Sequence, residues 1–262
     1  MIVADADNGQ LWLVNQTTHA LMAAELCRHW GNRDVEAPRM IEVVLAAIAQ
    51  HDNGWYEEEA RPRLDPDGRP MSFMTGPPWS EKLDLWRRGI RRAFDQHPYA
   101  GVLVARHAAT LYQPSLSLLS GEELVATREF VEQTQPATTA RARELLAGHG
   151  SWAELLTDEA IEASTRLLKV GDHVSLRVLV PYAERGVLDH GPVDHRGTTT
   201  PLQITHGEGA ITIDPWPYGV DSFDVEVWGR KLDRRTFADI ASYRDALAAA
   251  PLRVRRWRVV PA

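Results

Sequence analysis

Apolar residues recur every three or four positions through most of the first 180 residues, a spacing that places them on one face of a helix. A short strand-like run, 11–14, comes before the first helix, which Thr17 or Thr18 can cap and which ends near Trp30. Further helices are predicted at about 39–52, 80–95, 98–112, 120–147 and 157–181. Residues 60–79 are rich in Pro, Gly and Asp and are predicted to form a long loop, a kind of segment that often serves as a lid.

The pattern changes after about Pro181. Residues 185–210 resemble a loop, and short alternating runs then follow at 210–213, 223–227 and 254–260. These runs predict a few antiparallel strands, with a helix at about 236–249 between the last two. The predicted fold class is therefore mainly α: a helical domain over residues 1–182, with a small C-terminal α+β extension over residues 183–262 packed on it.

Composition narrows the functional classes. The chain has 262 residues, of which 44% are hydrophobic and 25% charged, as in a soluble globular protein. A net charge of −7 gives no basic footprint for nucleic acid, and no apolar run reaches the ~18 residues of a membrane span. The N-terminal segment lacks the pattern of a signal peptide. The single cysteine, Cys27, suits a reducing compartment and core packing. We therefore expect a cytoplasmic protein without nucleic-acid or membrane partners; a homo-oligomer stays open.

Ionisable residues occupy positions where the helical pattern calls for apolar ones. They continue the apolar stripes of four separate predicted helices: His19, His51 with Asp52, His107, and Asp172. One such histidine is usually a hydrogen-bonded core residue, but unpartnered buried imidazoles and carboxylates are costly. No Lys or Arg lies on these stripes apart from the neighbouring Arg106. The set predicts one or two divalent ions, and mixed nitrogen and oxygen ligands favour Fe, Mn, Co, Ni or Zn over Ca or Mg.

The order His, His-Asp, Asp, with gaps of 32 and 120 residues, resembles the HD-domain superfamily of helical metal-dependent phosphohydrolases. More narrowly, the chain is similar to a bacterial family of unknown function in the stretches TTHALMAAELCRHWGN, AIAQHDNGWYEEEARPRLDP, HPYAGVLVARHAATLY, LLKVGDHVSLRVLVP and ITIDPWP. The superfamily resemblance implies that His19, His51, Asp52 and Asp172 are the ligands of a mononuclear site, with Asp52 orienting a metal-bound water. His107 matches the additional histidine of two-metal members. The second such histidine could only be His97, which is out of helical phase with His107 and could equally be a capping residue.

Other polar residues complete the predicted site. His107, Asp52 and Arg106 are the predicted catalytic residues, and the predicted substrate-binding residues are Gln16, Trp55, Arg63 and Tyr112. A basic cluster, Arg87, Arg88, Arg91 and Arg92, is either a solvated helix face or a collar that attracts an anionic substrate. A rival metal cluster is formed by His190, Asp194 and His195, in a segment without helical support.

The leading hypothesis is a metal-dependent hydrolase that acts on a small phosphoester or similar anionic metabolite through a metal-activated water. Two alternatives stay open. An HD-type non-haem di-iron oxygenase would need two irons, and a non-catalytic binding protein would use the metal to stabilise its fold.

Overall fold

Strands from both ends of the chain form one seven-stranded sheet in the computed structural model of the protein, which describes residues 1–6, 9–180, 185–207 and 209–262. The strands are β1 (Ile2–Asp5), β2 (Leu11–Val14), β3 (Arg185–Pro192), β4 (Thr199–Gly207), β5 (Ala210–Asp214), β6 (Phe223–Leu232) and β7 (Leu252–Pro261). Their order is β1-β2-β6-β7-β5-β4-β3, and the sheet curls into a half-barrel. Neighbouring strands are antiparallel, except that β5 and β7 are parallel.

The two N-terminal strands are integral to this sheet. β2 pairs with β6, with Leu11 opposite Leu232 and Leu13 opposite Arg230. All four residues of β2 are buried because both faces of the strand are covered. Trp12 packs in the main core with the helices, whereas Leu11 packs on the opposite face, in a smaller core that includes residues of the C-terminal helix. The sheet therefore joins the two ends of the chain around the helical layer.

The helices lie mainly between β2 and β3 in the sequence. They are α1 (Gln16–Cys27), α2 (Ile41–Gln50), α3 (Tyr56–Glu59), α4 (Trp79–Gln96), α5 (Pro98–Tyr112), α6 (Gly121–Leu146), α7 (Gly150–Ala153), α8 (Asp158–Leu179) and α9 (Ile240–Ala249). α1, α2, α5 and α8 pack together, and α1 and α8 also contact the sheet. Among the residues that the structure describes, no helix combines the length and the apolar character needed to cross a membrane.

The predicted fold class is wrong. The chain is not a mainly α, HD-like body with a small C-terminal α+β tail, because a substantial mixed sheet includes strands from before and after the helices. Of the strands predicted as antiparallel, β6 and β7 do pair antiparallel, whereas β5 and β7 run parallel. The predicted helices at 39–52, 80–95 and 98–112 are found within about two residues at each end, as α2, α4 and α5. The predicted domain boundary at 182/183 and the helix end at 181 lie outside the described residues.

The segment predicted to be a loop, 185–210, contains β3 and β4. In β4, Leu202 and Ile204 are buried while the intervening Gln203 is exposed, which is the alternation of a strand with one face on the core. Gly191 is needed in β3 because a Cβ there would lie 2.7 Å from Cγ of Leu202. Part of the segment that suggested a loop, including Gly191, is therefore strand, and residues 193–198 form the turn between β3 and β4.

Candidate metal centre

Four helices bring the predicted ligands to one buried point. His19 lies on α1, His51 immediately follows α2 and is followed by Asp52, His107 lies on α5, and Asp172 lies on α8. His19 and His107 are completely buried, and the other three side chains are nearly so. The structure therefore brings together all five residues that the sequence proposed as ligands. We refer to these five side chains as the His/Asp cluster.

Two glycines allow the backbones near the cluster to approach closely. A Cβ at Gly171, beside Asp172, would lie 2.6 Å from the carbonyl oxygen of Ala23 on α1. A Cβ at Gly54, two residues after Asp52, would overlap the Leu85 carbonyl on α4. The close packing of α8 on α1 places Asp172 opposite His19, and the segment after α2 is held equally tightly against α4.

The ligand atoms are spaced like the corners of a coordination shell. Nε2 of His19 lies 3.2 Å from Oδ2 of Asp52 and 3.5 Å from Oδ1 of Asp172. Nε2 of His51 lies 3.6 Å from each of the same two oxygens. An ion bonded at about 2.1 Å separates adjacent ligand atoms by about 3.0 Å in octahedral geometry and about 3.4 Å in tetrahedral geometry. The observed spacing fits a transition-metal ion bound by His19, His51 and Asp172, whose ligand atoms all lie within 4.8 Å of one another, with Asp52 beside the two imidazoles.

Hydrogen bonds on the far side of the rings determine which nitrogens face this point. Nδ1 of His51 lies 2.6 Å from the carbonyl oxygen of Ile48, so Nδ1 carries a proton and donates it. The Ser175 hydroxyl donates to the carbonyl oxygen of Asp172 at 2.8 Å, and it therefore accepts from Nδ1 of His19, also at 2.8 Å. When both rings are neutral, the lone pair of each Nε2 therefore points at two carboxylates. Such an arrangement needs a cation between them.

The pKa shifts within the cluster also indicate that it favours a positive charge at its centre. Burial alone would lower the pKa of His51, but the nearby carboxylates of Asp52 and Asp172 raise it to about 9. Burial alone would raise the pKa of Asp172, but the adjacent imidazoles of His107 and His51 hold it well below its ordinary value. The two carboxylates thus favour a positive charge at the centre, which either a proton on His51 or a metal ion can provide.

His107 lies beside this point but is less constrained. Its Nε2 lies 3.4 Å from Oδ2 of Asp172, the oxygen that does not face His19. Within the described residues neither ring nitrogen of His107 has a good hydrogen bond, although the ring is completely buried. Burial lowers its pKa, against the influence of Asp172. A neutral imidazole with free nitrogens can act as a ligand or exchange a proton with a bound molecule.

A cavity of about 340 Å³ opens onto the cluster. His51, Asp52, His107 and Asp172 form part of its wall, and Gln16, Trp55 and Tyr112 also line it. Tyr112 accepts a hydrogen bond from Nε1 of Trp86 at 3.1 Å, and burial raises the pKa of its hydroxyl to about 12. Three of the four predicted substrate-binding residues therefore lie where a substrate would reach the cluster.

The predicted arginines do not line this cavity. Arg63 pairs with Glu58 and with Glu81, the latter at 2.9 Å. Arg106 turns away from His107, and its Nε donates to Glu162 at 3.2 Å. The structure therefore supports neither residue as a contact for substrate at the cluster.

The predicted basic cluster and His97 have structural partners. Arg87 pairs with Asp84, Arg88 and Arg92 pair with Glu57, and Arg91 is exposed, so these side chains form a solvated face of α4. Nδ1 of His97 accepts from the backbone N–H of Tyr99 at 3.1 Å and caps α5. The geometry therefore favours the capping role of His97 over a role as a metal ligand.

The rival metal cluster is not assembled. Asp194 accepts from the backbone N–H groups of Arg196 and Thr198 within its own turn, and His195 pairs with Glu36 at 3.7 Å. Over the part of the chain that is described, His19, His51 and Asp172 form the only group of three whose ligand atoms lie within 4.8 Å of one another. His190, Asp194 and His195 form no comparable group.

Two residues of the site have no obvious sequence signal. Ser175 orients His19 from α8, and its one clue was its place three residues after Asp172 on an apolar helix. Lys82 lines the cavity near the start of α4. It lies next to a proline-rich loop in a strongly amphipathic helix, where a lysine is usually solvated.

A buried set of imidazoles and carboxylates, held by helices that pack on a mixed sheet, defines the chain as an α+β protein with a candidate metal centre. A family model described as "Protein of unknown function (DUF3891)" matches residues 1–234, and the chain belongs to this family. No curated protein and no solved structure matches the chain.

Proposed function

We propose that the protein is a metal-dependent hydrolase that acts on a small phosphoester or a similar anionic metabolite. The observation that carries the proposal is the arrangement of His19 and His51. Each ring donates a proton from Nδ1 to the protein and directs Nε2 towards the carboxylates of Asp52 and Asp172. Mixed nitrogen and oxygen donors suit Fe, Mn, Co, Ni or Zn. The resemblance to the HD-domain superfamily at the same four residues is consistent with this ligand set and stays a prediction.

The metal ion and the side chains would have different roles in the reaction. A bound divalent ion would lower the pKa of a coordinated water and polarise the scissile group. The second oxygen of Asp52 can accept a proton from a water at the cavity wall and orient it. His107, with free ring nitrogens at the same wall, can transfer a proton to or from the leaving group.

The test combines metal analysis with turnover. Protein purified without added metal or chelator is analysed for its elements, stripped, and reloaded separately with Mn, Fe, Co, Ni and Zn. Each form is assayed for phosphate release from a panel of phosphomonoesters. We expect a bound transition metal in the purified protein and metal-dependent phosphate release from at least one panel member.

Two histidine variants make the test specific. His51→Ala should lose both the metal and the activity while the circular dichroism of the fold is kept. His149→Ala removes an exposed histidine outside the cluster and should change neither. Purified protein that holds no metal, together with no turnover after any reloading, would contradict the proposal.

One observation favours a second candidate, a di-iron oxygenase. The free nitrogens of His107 and the 3.4 Å approach of Nε2 to Oδ2 of Asp172 leave donors for a second ion beside the first. Two irons per chain and oxygen uptake with an organic substrate would support this candidate. One ion per chain and phosphate release would support the hydrolase.

We infer a cytoplasmic location. The single cysteine, Cys27, is completely buried, and burial raises the pKa of its thiol. A lone inert thiol is consistent with a reducing compartment. Fractionation of cells that express a tagged chain tests this location, and recovery of the protein outside the cytoplasmic fraction would contradict it.

A further inference from the structure

Lys82 is the basic residue that the cavity offers to a ligand. Among the described residues that line the cavity, no other Lys or Arg is present. Its Nζ lies 5.8 Å from the centre of the Trp79 ring, and no carboxylate in the described part of the chain pairs with it. Burial lowers the pKa of its ammonium group. A partly buried ammonium without a carboxylate partner is available to bind an anion.

The charge balance of the site limits which anion this can be. The carboxylates of Asp52 and Asp172 would neutralise one divalent ion, so Lys82 leaves the cavity with about one positive charge. A phosphomonoester, with one to two negative charges, fits this balance. A nucleoside triphosphate or a bisphosphate would place several uncompensated charges in a partly desolvated cavity, which is unfavourable.

The remaining walls are mostly apolar. Phe73, Met74, Trp86, Leu111 and Leu176 face the same cavity, and Met74 and Leu111 are partly exposed at 59% and 38%. The volume of about 340 Å³ is about eleven times the ~30 Å³ that a water molecule occupies in the liquid. This volume lies at the lower end of the ~300–1,000 Å³ of typical ligand pockets and has room for a small molecule such as phenyl phosphate. Such walls favour an apolar group over a sugar or a polyol.

We propose that Lys82 is the anion anchor of this cavity and that the ligand is a small phosphomonoester with an aromatic or other apolar group, rather than a nucleotide or a polyphosphate. The inference rests on the proposed function in that a metal ion at the His/Asp cluster binds the same phosphoryl group. Lys82, on the wall of the same cavity, binds another oxygen of this phosphoryl group. The aromatic and aliphatic walls bind the organic group.

Calorimetry with zinc-loaded full-length protein and non-hydrolysable probes tests the inference without requiring turnover. Phenylphosphonate should bind at least about tenfold more tightly than methylphosphonate, because the phenyl ring buries apolar surface. Phosphonoacetate, of similar size but with a second anionic group, should also bind more weakly than phenylphosphonate. Equal affinity for the three probes, or no binding of phenylphosphonate, would overturn the inference.

Lys82→Met keeps most of the length of the side chain and removes its charge. It should weaken phenylphosphonate binding by about tenfold or more, the effect of losing one charge-assisted hydrogen bond, with the zinc content unchanged. Lys231→Met removes the same charge from an exposed position on β6 and should leave the affinity unchanged. A Lys82→Met protein that binds zinc and phenylphosphonate like the wild type would refute the assignment of Lys82.

Hydrolysis of phenyl phosphate, measured in parallel, separates this inference from the proposed function. Lys82-dependent binding of phenylphosphonate without any phosphate release would reject the hydrolase and keep the ligand assignment. Phosphate release with the same KM for phenyl and methyl phosphate, in both the wild type and Lys82→Met, would keep the hydrolase and reject the ligand assignment.

Discussion

Replacement of Ser175 by alanine should weaken metal binding although Ser175 is not itself one of the proposed metal ligands. The hydroxyl accepts from Nδ1 of His19 and donates to the carbonyl oxygen of Asp172, both at 2.8 Å. It thereby sets the protonation of the His19 ring, so that the Nε2 lone pair faces the metal position. In Ser175→Ala this preference is lost, and a proton can occupy Nε2 instead.

The expected loss of metal affinity and of stability can be worked out from the groups that lose a hydrogen-bond partner. Loss of a hydrogen bond to a metal-ligating histidine typically costs about 10–100-fold in metal affinity. Ser175 is completely buried, so a water cannot easily replace its hydroxyl. The freed N–H of His19 also stays buried, which should destabilise the metal-free protein by about 1–3 kcal/mol.

Competition with a chromophoric chelator gives the zinc dissociation constant of each variant, and thermal unfolding gives its stability. Ser164→Ala is the matched control, because Ser164 is a buried serine on the same helix that accepts a hydrogen bond from the Tyr99 hydroxyl at 3.0 Å. It should lower the melting temperature without changing the zinc affinity. Equal zinc affinity for Ser175→Ala and the wild type would refute the assignment of the His19 ring, as would an equal loss in both variants.

Three further predictions concern the pKa of His51 and the close approaches of glycines. The raised pKa of His51 contributes stability that is fully present below its ordinary value of 6.5 and is lost as pH rises through about 9. The melting temperature of metal-free protein should therefore fall over this pH range. That of zinc-loaded protein should not fall, because the ion replaces the proton. The same pH dependence of the melting temperature in both forms would contradict this. Gly171→Ala should force α8 away from the Ala23 carbonyl and destabilise the fold by about 1–3 kcal/mol, which an unfolding experiment measures. It should also weaken zinc binding in the chelator competition, and an unchanged zinc affinity would contradict this. Gly54→Ala should overlap the Leu85 carbonyl and give less folded protein than wild type on size-exclusion chromatography, and equal yields would argue against that close contact.

The helical half of the fold could be predicted because its apolar stripes are long and regular. α5 was predicted with the bounds that the structure has, since Pro98 begins the helix and its apolar residues run on to Tyr112. Four of the seven strands, β2, β5, β6 and β7, overlap runs that the sequence predicts, whereas β1, β3 and β4 were missed for two physical reasons. β1 has four residues, too few for an alternating pattern to show. In β3 and β4, Gly191 and the threonines suggested a loop, whereas cross-strand packing requires the glycine.

The His/Asp cluster could be predicted because ionisable residues on apolar stripes are rare without a partner. The ion-pair partners of the arginines near the site could not be predicted from the sequence. Arg63 and Arg106 were predicted at the substrate, but each has a glutamate within reach that only the folded chain reveals. Lys82 and Ser175 belong to the site although the sequence did not indicate it, because their roles depend on which elements pack against them and not on their neighbours in the sequence.

The most direct test of the central claim is an anomalous difference map from a crystal of the protein loaded with zinc, recorded at the zinc absorption edge. The account predicts a peak about 2.0–2.2 Å from Nε2 of His19, Nε2 of His51 and one carboxylate oxygen each of Asp52 and Asp172. A peak elsewhere, or none at this point in a protein that binds zinc in solution, would contradict it.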